Sequence, residues 1–188
     1  MIERLKTLYK NKTISNDAIL EAVGKGWITV EEAVGIIGED SALEVVCAIK
    51  LKELSKSCNE TIVAGIDVET TNGIHHFNLS IEDQSNINNL FKVIELGATE
   101  YPYQADNGIC TIYSAKEIAD IYLSAQSLIA EQLMYHNGLK EYVKTLDDVK
   151  TILKVAYGMK LPKPFNSELK SKLAVVQSQM QSIVAKYM

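Results

Sequence analysis

The chain has 188 residues, 47% of them hydrophobic and 23% charged, with a net charge of −5. That balance excludes a mainly disordered chain, and the length suits one globular domain or two small ones, able to bury about 70% of the unfolded surface. No run approaches the roughly 18 apolar residues of a membrane span, so no membrane association is expected.

The opening Met1-Ile-Glu-Arg-Leu-Lys-Thr-Leu-Tyr-Lys10 lacks the apolar stretch and small-residue cleavage site of a secretory signal. Cys47, Cys58 and Cys110 are odd in number, widely spaced and without a C-x-x-C, which argues against a disulfide framework or zinc ribbon and for a reducing compartment. Cys47 ends the apolar run that starts at Ala42 and reads as a buried small hydrophobe. Residues 160–188 carry five Lys against one Glu, a net +4, which leaves −9 on the remainder. An acidic body repels polyphosphate, so nucleic acid is not an expected partner.

Helix starts are legible as capping boxes, in which a hydroxyl accepts a first-turn N–H and an acid three residues on reaches back. Thr29 with Glu32, Ser41 with Glu44 and Ser114 with Glu117 fit the box, and Ser80 with Asp83 and Thr145 with Asp148 are versions with Asp. Apolar residues at spacings of three and four then predict helices over 2–10, 15–23, 30–37, 41–60, 82–96, 115–136, 138–144, 146–157 and 167–187. His136, just before Asn137-Gly138, reads as a helix C-cap. Glu31-Glu32 and Asp147-Asp148 read as first-turn acids that complement helix dipoles.

Two Asn-Gly dipeptides punctuate this helical pattern. A two-residue type I′ turn at Asn72-Gly73 would pair Thr71 with Ile74, Val68 with Phe77 and Ile66 with Leu79, and set Glu69 beside His76. Asn107-Gly108 predicts a shorter, less regular hairpin between Tyr101-Pro-Tyr103 and Ile109–Tyr113. Hairpins among helices give a helix-dominated α+β class: an N-terminal helical hairpin, a small antiparallel hairpin sheet packed by long helices, and a C-terminal heptad helix. The segments are 1–39, 40–158, a Pro-containing linker over 159–166, and 167–188.

The last segment carries the clearest assembly signal. Leu169, Leu173, Val176, Met180, Ile183 and Tyr187 recur at intervals of four and three, an a/d seam whose intervening positions are mostly Lys, Ser, Gln and Ala. Roughly 32 Å of helix is too short to hold a coiled coil alone, so the seam would add to another interface or pack back on its own chain. Trp27 reads as the plug of a corner between two helices and stands beside the seam as a candidate contact residue. The tyrosines at 101, 103 and 113 suit either a recognition surface or cover for a sheet edge.

Catalytic signals are sparse. His75 and His76 are adjacent on a strand and point to opposite faces, so they do not converge on one metal ion. No G-x-S-x-G, H-E-x-x-H or phosphate-binding loop occurs. Two short helices flank Gly24-Lys-Gly-Trp27 as in a helix-turn-helix, but Val30–Ile37 carries two acids and no base-reading side chain. No enzyme, cofactor or metal site is expected.

Gly26-Trp-Ile-Thr-Val-Glu-Glu-Ala-Val-Gly-Ile-Ile-Gly38 resembles the core of the XkdX family of small phage tail proteins. Residues Lys50–Ile66, His76–Asn89 and Ala98–Gln104 are similar to a domain of unknown function found in phage tail and tail-fibre proteins. Together the resemblances span roughly residues 15–157 and leave the heptad helix outside. They imply a noncatalytic structural component of a bacteriophage tail or phage-tail-like contractile particle, at the baseplate or the base of the receptor-binding tail fibre. The partners they imply are other tail, baseplate or fibre proteins, in a homo-oligomer or hetero-assembly made in the bacterial host cytoplasm and carried in the particle. A tail-fibre assembly chaperone absent from the mature particle is the alternative.

Overall fold

Short-range chemistry sets the helix starts. Thr29 Oγ1 accepts the Glu32 N–H at 3.2 Å while Glu32 accepts the Thr29 N–H at 2.7 Å. Ser80 and Asp83 close an equivalent pair of bonds. Such reciprocal caps satisfy donors that the helix ladder leaves open. The computed structural model describes residues 1–106 and 108–186, with backbone only at 39–41 and 184; Asn107 and Tyr187 lie outside the described residues.

Among these residues the order is α1 (Ile2–Lys10), α2 (Asn16–Gly24), α3 (Val30–Ile37), α4 (Glu39–Val63), β1 (Ile66–Thr70), β2 (Gly73–Phe77) and α5 (Ile81–Glu95). Then follow β3 (Glu100–Gln104), β4 (Cys110–Ser114), α6 (Ala115–Lys144), α7 (Val149–Lys154) and α8 (Phe165–Val184). The strands form two separate two-stranded antiparallel sheets. The helix-dominated α+β class holds.

The chain divides into two compact units, one of Met1–Lys56 with Gly138–Phe165 and one of Ser57–Asn137 with Asn166–Met188. These units do not follow the segments anticipated from composition. Residues 1–39 do not close on themselves, because α1 to α3 are too short to bury their apolar stripes without more surface. Ile19, Ala22, Ala33 and Ile37 bury together with Val45 of α4, and Ile49 packs against the same cluster. Ala42, Val45, Val46, Lys50 and Leu54 are the buried residues of α4 in this unit. Cys47, one position further round, is half-buried rather than buried, and Cys58 is the buried thiol.

In the second unit, Phe77 and Tyr113 anchor the two hairpins, with ring centroids 6.0 Å apart. Tyr103 stacks on Phe77 at 6.1 Å. Asp106 joins the hairpins: its N–H donates to His76 O, and its carboxylate accepts the Asn78 N–H. Phe91 of α5 stacks on Tyr122 of α6, centroids 4.1 Å apart.

The first hairpin slips by two residues from the expected register, to Ile66↔Phe77, Val68↔His75 and Thr70↔Gly73. Its turn is Thr71-Asn72, and only Gly73 takes a positive φ, +108°. A type I′ turn would need positive φ at two residues. The alternative is fixed from outside the hairpin: Glu117 Oε1 accepts both the N–H and the hydroxyl of Thr71, each at 2.8 Å. A slip of two preserves side-chain parity, so Val68 and Phe77 still face the core. The partner of His76 changes from Glu69 to Asp67. The second hairpin is regular over five pairs, Glu100↔Ser114 to Gln104↔Cys110, contrary to the shorter form expected.

Two helix ends also differ. Helix α6 runs unbroken through His136 and Gly138, so neither is a cap. Gly138 is a packing notch, since a Cβ there would lie 2.8 Å from Leu161 Cδ1. Helix α7 begins after Asp148, whose carboxylate accepts the Thr151 N–H at 2.7 Å. Thr145 instead donates its hydroxyl to Tyr142 O at the end of α6.

Glu117 is buried and its second oxygen accepts the N–H and hydroxyl of Ser114, at 2.8 and 2.7 Å. Burial pushes this carboxyl up, but the donors of Thr71 and Ser114 outweigh it and hold the pKa at about 2. A lowered folded-state pKa gives stability that is complete above the ordinary value of 4.5 and is lost as pH falls towards 2. Glu117→Gln is expected to cost about 3 kcal/mol at pH 7 and to flatten the acid limb of a denaturation series between those values. Gly65, at φ +87°, has Phe77 O only 2.2 Å from where a Cβ would sit. Gly65→Ala is therefore expected to lower stability by at least about 2 kcal/mol in urea unfolding.

Candidate protein-interaction surfaces

Helix α8 follows Pro162 and Pro164 and is reinforced by a Glu168–Lys172 pair at 2.6 Å. Leu169, Leu173, Val176, Met180 and Ile183 are all half-buried, while every described position from Ser167 to Ser182 outside this stripe is exposed. The seam residues thus share one face, with Tyr187 outside the description. That face is covered only in part: α8 has no fully buried side chain among its described ones, whereas α5 buries Ile87, Leu90, Phe91 and Ile94. Val175, outside the seam, is 62% exposed.

Trp27 does not plug the helix corner. It is 54% exposed, and its neighbour Ile28 fills the corner at 5%. Positive φ at Gly26 turns the chain after α2, and Thr29 caps α3, so one residue between them faces the core. Ile buries there without an unmatched donor, whereas an indole N–H would need a partner. Lys25 Nζ lies 4.7 Å from the Trp27 ring centroid and 2.6 Å from Glu21. The Lys25 ammonium holds the Glu21 carboxyl below its ordinary pKa.

The three tyrosines share one face of the second hairpin but differ in how far they are covered. Tyr113 is fully buried, its hydroxyl 2.6 Å from His75 Nδ1, and Tyr103 is half-buried. Burial raises the pKa of both phenols. These two are cover for the hairpins, while Tyr101 is 42% exposed. The opposite face of β3 and β4 is exposed at all six positions and carries the cross-strand pair Pro102↔Ile112. The polar alternation that would have shown this face is masked by Pro102 and Ile112 themselves.

His76 Nδ1 lies 2.7 Å from Asp67 Oδ1, and this bond raises the histidine pKa. Among the described residues no three His, Cys, Asp or Glu side chains are grouped to hold a metal ion. No helix among them is long and apolar enough to cross a membrane. The chain matches no family model, no curated protein and no solved structure.

An open groove went unseen in the sequence. It lies in the first unit, between one face of α2 and one face of α4, with a volume of about 520 Å³. Leu20, Val23 and Ile49 form its floor and also pack on the buried cluster beneath. The spacing of Ile49, Lys52, Glu53 and Lys56 marks one helix face, but only the fold shows that it meets α2. The exposure of Trp27 generates a paired test. Trp27→Ala is expected to change stability by less than about 0.5 kcal/mol, and Ile28→Ala to cost about 2–5 kcal/mol, in matched thermal or urea unfolding. Ready acrylamide quenching of the native emission, from the single Trp of the chain, checks the same exposure independently.

Proposed function

We propose that this chain is a noncatalytic structural component of a bacteriophage tail or of a phage-tail-like contractile particle, at the baseplate or the base of the receptor-binding fibre. It acts by docking against other proteins of the particle. The observation that carries this reading is helix α8: a narrow apolar stripe half-covered within the chain, on a helix whose other described positions from Ser167 to Ser182 are exposed and polar except Ala174 and Val175. A helix that served only its own unit would bury a wider stripe. The resemblance of residues 26–38 to XkdX tail proteins, and of residues 50–104 to a tail-associated domain, supplies the particle context. In this reading α8 joins its seam to a neighbouring subunit, the N-terminal helices offer a second contact surface, and the hairpin unit holds its shape through the Glu117 and Asp106 bonds.

Quantitative mass spectrometry of purified particles tests the placement: a stoichiometric chain supports it. A chain needed for fibre assembly but missing from the finished particle identifies the assembly chaperone instead. The seam has its own test. Met180→Glu places a carboxylate in an apolar position, which costs several kcal/mol where it becomes buried. Association measured by light scattering, alone and with particle proteins, is expected to weaken at least tenfold, while the melting of the hairpin unit is retained. Unchanged association with a lowered melting temperature would reduce the stripe to packing within one chain.

A further inference from the structure

We infer that Asn72 is a site of spontaneous covalent modification, turning to aspartate and isoaspartate, and that the change loosens the hairpin held by Glu117. The inference is independent of the docking reading and rests on how the fold treats its Asn-Gly bonds. The sequence holds three, at Asn72-Gly73, Asn107-Gly108 and Asn137-Gly138, the second with a residue outside the description. An asparagine side chain is electrophilic at Cγ, and attack by the next backbone nitrogen closes a five-membered ring. Glycine at that next position presents no side chain to hinder the closure. At Asn72 the fold leaves this path open. The residue is exposed in the turn between β1 and β2, and its side-chain amide has no hydrogen-bond partner among the described residues. A Cβ built on Gly73 would meet nothing within 4 Å, so the space beside the attacking nitrogen is free. Asn137-Gly138 places the same two residues in closed surroundings. Both lie inside α6, where the Gly138 N–H is committed to the helix ladder. Leu161 Cδ1 stands 2.8 Å from where a Gly138 Cβ would sit.

The reaction needs only water. The Gly73 nitrogen bonds to Asn72 Cγ, the Cγ–Nδ2 bond breaks, and ammonia leaves with the proton given up by the Gly73 amide. Water then opens the cyclic imide at either of its two carbonyl carbons, and no electron is transferred. Opening at Cγ restores the ordinary backbone with an aspartate. Opening at the main-chain carbonyl routes the backbone through Cβ and Cγ, as isoaspartate, one methylene longer. The surroundings make that product costly. Thr71, one residue back, gives its N–H and hydroxyl to Glu117, each at 2.8 Å, and Gly73, one residue on, pairs with Thr70. The Asn72 N–H itself donates to Thr70 Oγ1 at 3.2 Å. A turn held on both sides has no slack for an added methylene. Either the Thr70–Gly73 pair opens, or the buried Glu117 carboxylate loses donors it depends on. The new carboxylate also brings a like charge to the turn that Glu117 holds.

Peptide mapping by mass spectrometry, on the folded chain held at mildly alkaline pH, reads conversion position by position. Labelling with an isoaspartyl methyltransferase identifies the lengthened product. Conversion at Asn72 is expected to run at least tenfold faster than at Asn137, and unfolding in urea to bring the two rates together. Equal rates in the folded chain overturn the inference. So does an Asn72 that stays intact in the folded chain while the urea-unfolded chain converts there. Thermal unfolding reads the consequence. Chain aged until most of Asn72 is converted is expected to melt at least about 4 °C below fresh chain. Asn72→Gln closes the corresponding ring far more slowly, and it suits a position that is exposed and does not need positive φ. It is expected to keep its melting temperature through the same incubation. An aged parent that melts with the fresh chain, or an aged Asn72→Gln that falls as far as the parent, overturns the loosening.

Discussion

A single buried carboxylate sets the geometry of the hairpin unit. Glu117 receives four donors, two from Thr71 in the turn between β1 and β2 and two from Ser114 at the start of α6. An ionised group out of water is costly unless its lone pairs are met. Here each oxygen meets one backbone N–H and one hydroxyl, so the charged form is the favoured one. The consequence reaches beyond the bond. Thr71 is held as a turn residue, positive φ is confined to Gly73, and the ladder registers accordingly. The register sets the cross-strand partners, Val68 with His75 and Asp67 with His76, while parity keeps Val68 and Phe77 on the core face, where His75 meets the hydroxyl of Tyr113.

The N-terminal unit obeys a different constraint, that of size. Helices of eight or nine residues gain little from their own hydrogen bonds. They persist because α4 gives their stripes a common surface, with Val45 inside the cluster and Ile49 at its margin. The remaining wall of α4 has no such cover where it meets α2. The groove is therefore a by-product of three short helices packing on one long one, with too little chain to close every edge. Where it opens, the sequence has supplied charged side chains of both signs, Glu21, Lys25, Lys52, Glu53 and Lys56, rather than further apolar cover.

What could be read directly from the residues was the chemistry confined to three or four positions. The caps at Thr29, Ser80 and Ser114 needed only their own acids, and each forms as read. The hairpin at residues 66–77 was also legible, as was its apolar face, because parity survives a slip of two. Its register was not, since the deciding partner of Thr71 lies 46 residues away. Gly138 was misread for the same reason: a glycine between two helical patterns resembles a break until Leu161 is placed against it. Trp27 and Ile28 show how local the failure can be. One turn had room for one inward side chain, and size alone pointed to the wrong neighbour. The seam of α8 was legible as a pattern, and its five described members do share a face, but a pattern does not say how much of it the chain itself covers.

That partial cover is what makes α8 suited to an interface. A fully exposed stripe would promote indiscriminate association, and a fully buried one would have nothing to offer a partner. Half-burial leaves the helix attached to its own unit while keeping part of each apolar side chain available. Glu168, Lys170 and Lys172 beside the stripe keep the free chain wettable and restrict which surfaces approach it. On the docking reading proposed above, a stripe on one unit would be unlike any contact made by the other, and unlike contacts join neighbours in a fixed order, whereas a self-complementary patch would close into pairs.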